Sequence, residues 1–228
     1  IHPLLGQRID IANLASIHFE NQINQQNPVY LQHHQVFDTV IMPFSGYVEM
    51  VLSAASNLYQ TKDEINKLLL TDVEIHQALI LEKKSTTVQL ILTPISTSTK
   101  KEYKFEIFSL TQQSNNSKIK NQTWILHASG KINHEAEPLE SRYQAQPGNE
   151  NFENLNTIDV ENFYQSCEKQ GINYGKSFQA INQLWNYEQV ALAEIVLPQE
   201  FINSTAYKLH PILLDASLQV VGSVLPDN

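Results

Sequence analysis

The chain has 228 residues, of which 42% are hydrophobic and 17% are charged. This length and composition exclude a disordered chain and leave room for one large domain or two smaller halves. The 24 acidic residues outnumber the 15 Lys and Arg residues, and the net charge of -9 makes nucleic acid an unfavourable partner. Cys167 is the only cysteine, so no intrachain disulfide can form, and no apolar run is long enough to cross a membrane. We therefore expect a cytoplasmic protein.

The first part of the chain predicts one helix and several short strands. Extended pieces are expected at Ile9–Ala12 and within Tyr30–Met42, and a polar hairpin tip at 111–122. From Pro43 to Leu58 apolar residues recur every three or four positions, which predicts an apolar helix opened by the proline. The strands after it are expected at Ala78–Leu81, Thr87–Thr93, Tyr103–Ser109 and Thr123–Lys131. A helix followed by antiparallel strands indicates the α+β class.

A polar segment with two prolines, residues 136–157, is expected to link this part to a second half. The second half predicts a helix over Val160–Gln170 that stops at Gly171, then strands at Gln183–Tyr187 and Val190–Leu197. A second apolar helix is expected at Pro211–Val221, again opened by a proline. The two halves share this order of elements but no obvious sequence repeat.

The residue types alone leave few kinds of chemistry open. A glycine-rich phosphate loop, a spaced set of metal ligands and a Gly-x-Ser-x-Gly elbow are all absent from the sequence. The eight histidines are scattered, and for each of them a surface or core role is the simpler interpretation. Acid–base chemistry with one histidine and one carboxylate remains open.

Four short motifs follow one another along the chain. His34 and Pro43 fit the spacing of HxxxGxxxxP, and 210–219 holds a His-Pro pair followed by a helical Asp and a Gln. The segment 173–178 contains YGxxF, and 2–6 reads His-Pro-Leu-Leu-Gly. In this order, over nearly the whole chain, the motifs resemble those of the dehydratase domains of modular type I polyketide synthases.

The resemblance implies a double hotdog, in which each half wraps an antiparallel sheet around a central helix. The first hotdog would span 1–135 and carry His34, and the second would span 158–228 and carry Asp215. Because the family continues with further strands after the Asp helix, we expect the second hotdog to be incomplete in this sequence.

The resemblance also implies the reaction: removal of water from a 3-hydroxyacyl thioester, giving an α,β-unsaturated thioester during polyketide biosynthesis. His34 would be the base and Asp215 the acid, whose apolar neighbours on the helix would raise its pKa. Gln219, one turn further on, would orient Asp215. The substrate-binding residues would be Pro43, Gly46, Tyr174, Gly175, Phe178 and Gln219. The start of the helix after Pro43 would also polarise the thioester carbonyl.

The resemblance implies no bound metal, nucleotide or flavin. The substrate would arrive on the phosphopantetheine arm of an acyl carrier protein, beside neighbouring synthase domains, in a homodimer. Carrier proteins are usually acidic, so a local basic patch is expected to receive them, with Lys176 and Lys208 as candidates.

One departure from the family pattern keeps other functions open. Asp38 stands where the motif has glycine, and a carboxylate there would raise the pKa of His34. The same fold with the same two residues also suits double-bond isomerisation or cyclisation. An inactive structural module is a further alternative, although such a module has no need for both His34 and Asp215.

Overall fold

A six-stranded antiparallel sheet forms most of the first half. The computed structural model describes residues 1–58, 68–95, 102–113, 121–134, 155–187 and 190–224. The strands of the sheet are β1 (Gln7–Ile9), β2 (Ile17–Ile23), β5 (Leu68–Ile75), β6 (Thr86–Ile95), β7 (Glu102–Gln113) and β8 (Asn121–His134). They lie in the order β1-β2-β6-β7-β8-β5.

The centre of this sheet follows from alternation along β6 and β7. Leu90 faces Ile107 and Leu92 faces Phe105 across the pair, and all four side chains are buried. Phe105 in turn lies opposite Gly130 of β8, where a Cβ atom would stand 2.6 Å from the phenyl ring. Glycine at 130 therefore makes the space that Phe105 occupies.

The helix α1 (Phe44–Ser56) shares one hydrophobic core with this sheet. Pro43 is its N-cap residue, one position earlier than the first helical turn predicted for it. Three predicted strands lie within β6, β7 and β8. The strand predicted at Ala78–Leu81 is wrong, since the backbone there makes only an isolated bridge between Ile80 and Ile41.

Differences at the ends of elements have local causes. The extended piece predicted at Ile9–Ala12 is wrong beyond its first residue: β1 ends at Ile9, and Asn13 turns the chain with a φ of 62°. The segment Tyr30–Met42 begins in a 3₁₀ helix, Val29–His33, before β3 (His34–Val36) and β4 (Thr39–Val40). The tip 114–120 of the predicted hairpin and residues 136–154 of the predicted linker lie outside the described residues.

The second half contains two described helices and a three-stranded sheet. The helix α2 (Val160–Lys169) is capped by Asp159 and followed by Gly171, whose φ of 88° suits the predicted stop. The sheet consists of β9 (Asn156–Ile158), β11 (Ile181–Tyr187) and β12 (Val190–Ile195), in the order β12-β11-β9. β9 takes in the last two residues of the predicted linker. The helix α3 (Pro211–Gly222) carries the second motif.

Two sets of contacts join the halves. β10 (Ile172–Tyr174) pairs antiparallel with β3, so Tyr174 stands directly opposite His34. The carboxylate of Glu49, on α1, is fully buried and accepts backbone N–H bonds from Lys208 and Leu209, just before α3. His2 and Ser53 also bond to Glu49. These contacts fix the helix that carries Asp215 relative to the strand that carries His34.

Candidate active site

His34 begins β3 with its side chain buried between the two halves. It is 8% exposed, and its ring lies edge-on to Phe178 with the ring centres 5.3 Å apart. Its Nδ1 lies 3.2 Å from the carbonyl oxygen of Ile41. A carbonyl only accepts, so Nδ1 carries the proton of the neutral ring and Nε2 has a free lone pair.

Asp215 faces that lone pair from α3. Its Oδ1 lies 4.0 Å from His34 Nε2, and its side chain is almost fully buried. Burial lowers the pKa of His34 and raises the pKa of Asp215, while the attraction between the two groups acts in the opposite sense on each. Because burial is the larger effect on both groups, the pair favours a neutral imidazole beside a protonated carboxyl.

A chain of hydrogen bonds holds Asp215 from behind. Gln219 donates from Nε2 to Asp215 Oδ2 at 2.8 Å and to the Phe178 carbonyl oxygen at 3.1 Å. Its Oε1 accepts from the Tyr164 hydroxyl at 3.0 Å. Tyr164 was not among the predicted site residues, since only folding brings α2 beside α3. Its place in an amphipathic helix before the YGxxF segment was the available signal.

The YGxxF segment forms a turn that packs against β3. Gly175 donates its N–H to the His33 carbonyl oxygen, and a Cβ atom at Gly175 would lie 2.8 Å from the His33 side chain. Phe178 closes the turn with an N–H bond to the Gly175 carbonyl oxygen and is fully buried. The Tyr174 ring centre lies 5.9 Å from that of His34. The turn thus brings two aromatic rings against the imidazole, while Gly175 provides close backbone packing.

At the start of α1, neither the Gly46 N–H nor the space beside the Gly46 Cα is free for a substrate. Gly46 donates its N–H to the Pro43 carbonyl oxygen, so this donor is already used. The space where a Cβ atom of Gly46 would stand is taken by the Met42 side chain, whose Sδ would be 2.6 Å away. Gly46 was predicted to bind substrate, but the absence of its side chain makes room for Met42.

Asp38 does not act on His34 as expected. Its side chain is exposed, and His34 has a lowered pKa, chiefly through burial, where we expected a raised one. The backbone explains why the family motif has glycine here: Asp38 has a φ of 60° and follows Phe37 at 46°. Aspartate tolerates this left-handed conformation better than a β-branched residue does.

A cavity of about 910 Å³ opens beside the pair, between α2 and α3. That volume is in the range of small-molecule sites. Its walls include Phe163, Cys167, Tyr174, Asp215 and Gln219. Asp215 therefore lines the cavity, and the His34 ring lies beside Tyr174, another residue of its wall.

The other predicted features can also be placed. Lys176 and Lys208 are exposed; Lys176 lies close enough to His33 to help lower its pKa, after the larger effect of burial. Within the described ranges, no cluster of three or more His, Cys, Asp or Glu side chains suits a metal ion. None of the helices in the same residues is long and apolar enough to cross a membrane.

Comparison with known proteins places this chain in a family. A model described as the polyketide synthase dehydratase domain matches residues 2–110, and one described as its N-terminal domain matches 149–228. The dehydratase domain from the CurF module of curacin polyketide synthase is 35% identical, with a TM-score of 0.80 over 99% of this chain and 77% of that chain. The chain belongs to the polyketide synthase dehydratase family. The predicted double-hotdog fold and the hydro-lyase class are thereby confirmed.

Two further relatives support the same conclusion. The CurK dehydratase domain of curacin polyketide synthase is 35% identical, with a TM-score of 0.79 over 100% of this chain and 75% of that chain. A phenolphthiocerol/phthiocerol polyketide synthase of Mycobacterium tuberculosis is 29% identical over 230 residues, which cover 99% of this chain. The match spans only 12% of that synthase, so this chain corresponds to one domain's length of such a protein.

Proposed function

We propose that this domain removes water from a 3-hydroxyacyl thioester, with His34 as the base and Asp215 as the acid. The observation that carries the proposal is the 4.0 Å separation of His34 Nε2 and Asp215 Oδ1 in a buried site next to a cavity. Solved inactive mutants of CurK dehydratase, one with an Asp-to-Asn and one with a His-to-Phe change, support the need for one residue of each type.

The protonation states of the pair suit an elimination. His34 donates from Nδ1 to Ile41, which leaves Nε2 free to take the proton from the carbon next to the thioester carbonyl. Burial raises the pKa of Asp215, which favours the protonated carboxyl that would donate to the hydroxyl group.

The bonds and charges balance within the pair. The C–H electrons form the new C=C bond as the C–O bond breaks, and the leaving oxygen takes the Asp215 proton and departs as water. His34 is left protonated and Asp215 ionised. Transfer of the proton from His34 back to Asp215 restores the starting state without any other acid or base.

The remaining predicted residues would orient the substrate. Tyr174 lines the cavity next to Asp215, and Gln219 holds the carboxyl group. The first turn of α1, after Pro43, would direct its positive end towards the thioester carbonyl as negative charge develops there. Gly46 would contribute as part of this turn. Gly175 and Phe178 would contribute by packing around His34 and holding its ring in place.

The acyl chain would be delivered on the phosphopantetheine arm of an acyl carrier protein within a polyketide synthase. The domain itself would need no further cofactor, because the pair supplies both the acid and the base. The homodimer and the docking of the carrier near Lys176 or Lys208 remain part of this proposal.

The test is incubation with a 3-hydroxyacyl chain on an acyl carrier protein, followed by mass spectrometry. Asp215→Asn and His34→Gln should each lower the rate of water loss by about 100-fold or more. The exposed controls Asp10→Asn and His76→Gln should keep the natural rate. Full activity of Asp215→Asn with a normal melting curve would overturn the assignment.

The same assay with the α,β-unsaturated thioester as substrate separates the alternatives. An isomerase or cyclase would convert that thioester to a product of unchanged mass with altered connectivity. An inactive module would return the hydroxyacyl chain unaltered.

A further inference from the structure

We infer that Tyr164 is a positioning residue: its hydroxyl fixes the orientation of the Gln219 amide, and through it the orientation and acidity of Asp215. The inference rests on the proposed role of Asp215 as the acid. It starts from a buried chain of hydrogen bonds that runs from α2 to the carboxyl group.

The direction of donation along these hydrogen bonds is set at the Tyr164 oxygen. The backbone N–H of Ile181 donates to that oxygen at 3.3 Å. A backbone N–H can only donate, so the Tyr164 proton is left to point elsewhere. Of the two acceptors in reach, Gln219 Oε1 at 3.0 Å lies closer than the Phe178 carbonyl oxygen at 3.5 Å and takes this proton. Burial raises the pKa of Tyr164 to about 12, so the hydroxyl keeps this proton at neutral pH.

The donation from Tyr164 decides which end of the Gln219 amide meets Asp215. An amide oxygen only accepts and an amide nitrogen only donates. With Oε1 held by Tyr164, the Nε2 group must face the other way, where Asp215 Oδ2 and the Phe178 carbonyl oxygen both accept. Each donor and acceptor in these hydrogen bonds has a partner in this arrangement, whereas a reversed amide would turn its oxygen towards the Phe178 carbonyl oxygen, which also only accepts.

The orientation of Gln219 has two effects on Asp215. The bond to Oδ2 leaves Oδ1 directed at His34. The donated hydrogen bond also favours the ionised carboxyl, which moderates the rise in pKa that burial causes. A reversed amide would present its oxygen to Asp215 and hold the carboxyl proton, so the acid would release it less readily to the substrate.

The hydroxyl of Tyr164 can be removed with little change in shape. Tyr164→Phe should lower kcat for water loss about tenfold, as expected for one lost hydrogen bond in a buried network. The pKa that governs loss of activity at high pH should rise by about one unit. Tyr103→Phe is the matched control, because Tyr103 is partly buried in β7 and lies outside the residues that form the site. It should leave both quantities unchanged.

A double-mutant cycle distinguishes positioning from a separate structural effect. Gln219→Leu removes the link, so adding Tyr164→Phe should then change kcat and the high-pH limb by less than about twofold. Equal losses in the two backgrounds would overturn the inference. So would a Tyr164→Phe protein whose kcat and high-pH limb match the natural protein.

Two checks distinguish failure of the proposed function from failure of the positioning role. If Asp215→Asn is fully active, the proposed function fails; if it is inactive and Tyr164→Phe has no effect, only the positioning role fails. If Tyr164→Phe does not fold, Gln219→Leu alone should still raise the pKa of the high-pH limb by about one unit, and an unchanged limb would refute the link.

Discussion

Replacing the buried Glu49 with glutamine should destabilise the protein at the junction between its halves. The carboxylate accepts four hydrogen bonds: three at Oε1, from His2, Ser53 and the Lys208 N–H, and one at Oε2, from the Leu209 N–H. Glutamine keeps one acceptor oxygen and replaces the other with an amide group that only donates. In the better of its two orientations, the Leu209 N–H then faces another donor.

The expected loss follows from these contacts. A buried donor left without its partner costs about 1–3 kcal/mol, and the three bonds at Oε1 also lose the strengthening effect of a charged acceptor. We expect Glu49→Gln to lower the free energy of unfolding by about 3 kcal/mol. For a protein of this size, that corresponds to a melting temperature lower by about 6–12 °C.

Denaturant unfolding at several pH values tests the reasoning behind Glu49→Gln. Burial by itself would raise the pKa of Glu49, but the four hydrogen bonds hold it below its ordinary value of 4.5. Its contribution is therefore present above that pH and is lost as pH falls through the lower pKa of the folded protein. The difference between the natural protein and Glu49→Gln should narrow in acid. A difference under about 0.5 kcal/mol at pH 7, like that of the exposed control Glu168→Gln, would refute the reasoning.

Three further predictions concern the sheet, the first motif and the pH profile. Gly130→Ala places a methyl group against the Phe105 ring and should lower the unfolding free energy by about 1–3 kcal/mol, measured by denaturant titration. Asp38→Val should lower the unfolding free energy by about 1–2 kcal/mol, because residue 38 has a positive φ, whereas Asp38→Gly should not lower it. Equal unfolding free energies for the two variants would contradict the strain argument. The rate of water loss should fall at low pH as His34 gains a proton and at high pH as Asp215 loses one; a rate unaffected by pH would rule out the pair.

Local sequence patterns predicted the elements whose residues carry a strong period. The apolar repeat after Pro43 gave α1, and the alternation around Leu90 gave β6. Ala78–Leu81 failed because the same apolar composition also suits an extended segment that makes a single bridge. β5 went unpredicted, since its residues carry neither a clean alternation nor flanking turn signals, and its pairing with β8 is set by contacts distant in the chain.

Motif spacing predicted which residues to examine, but distances between motifs come only from the fold. His34 and Asp215 are 181 positions apart in the sequence, and β3, β10 and α3 bring them to 4.0 Å. Tyr164 and Glu49 were missed because a decisive partner of each is distant in the sequence: Gln219 lies 55 positions from Tyr164, and Lys208 lies 159 positions from Glu49. Glu49 did leave a signal, as the single acidic residue within the apolar run of α1. A charge in such a run indicates a buried, paired group.

The antiparallel pairing of β3 with β10 limits how hybrid enzymes can be built from this domain. A recombination point between the halves would combine His34 from one parent enzyme with Tyr174 from another. A shift of one residue in the pairing of β3 with β10 would then turn the wrong side chains inward. Recombination should therefore exchange both halves together, as one unit.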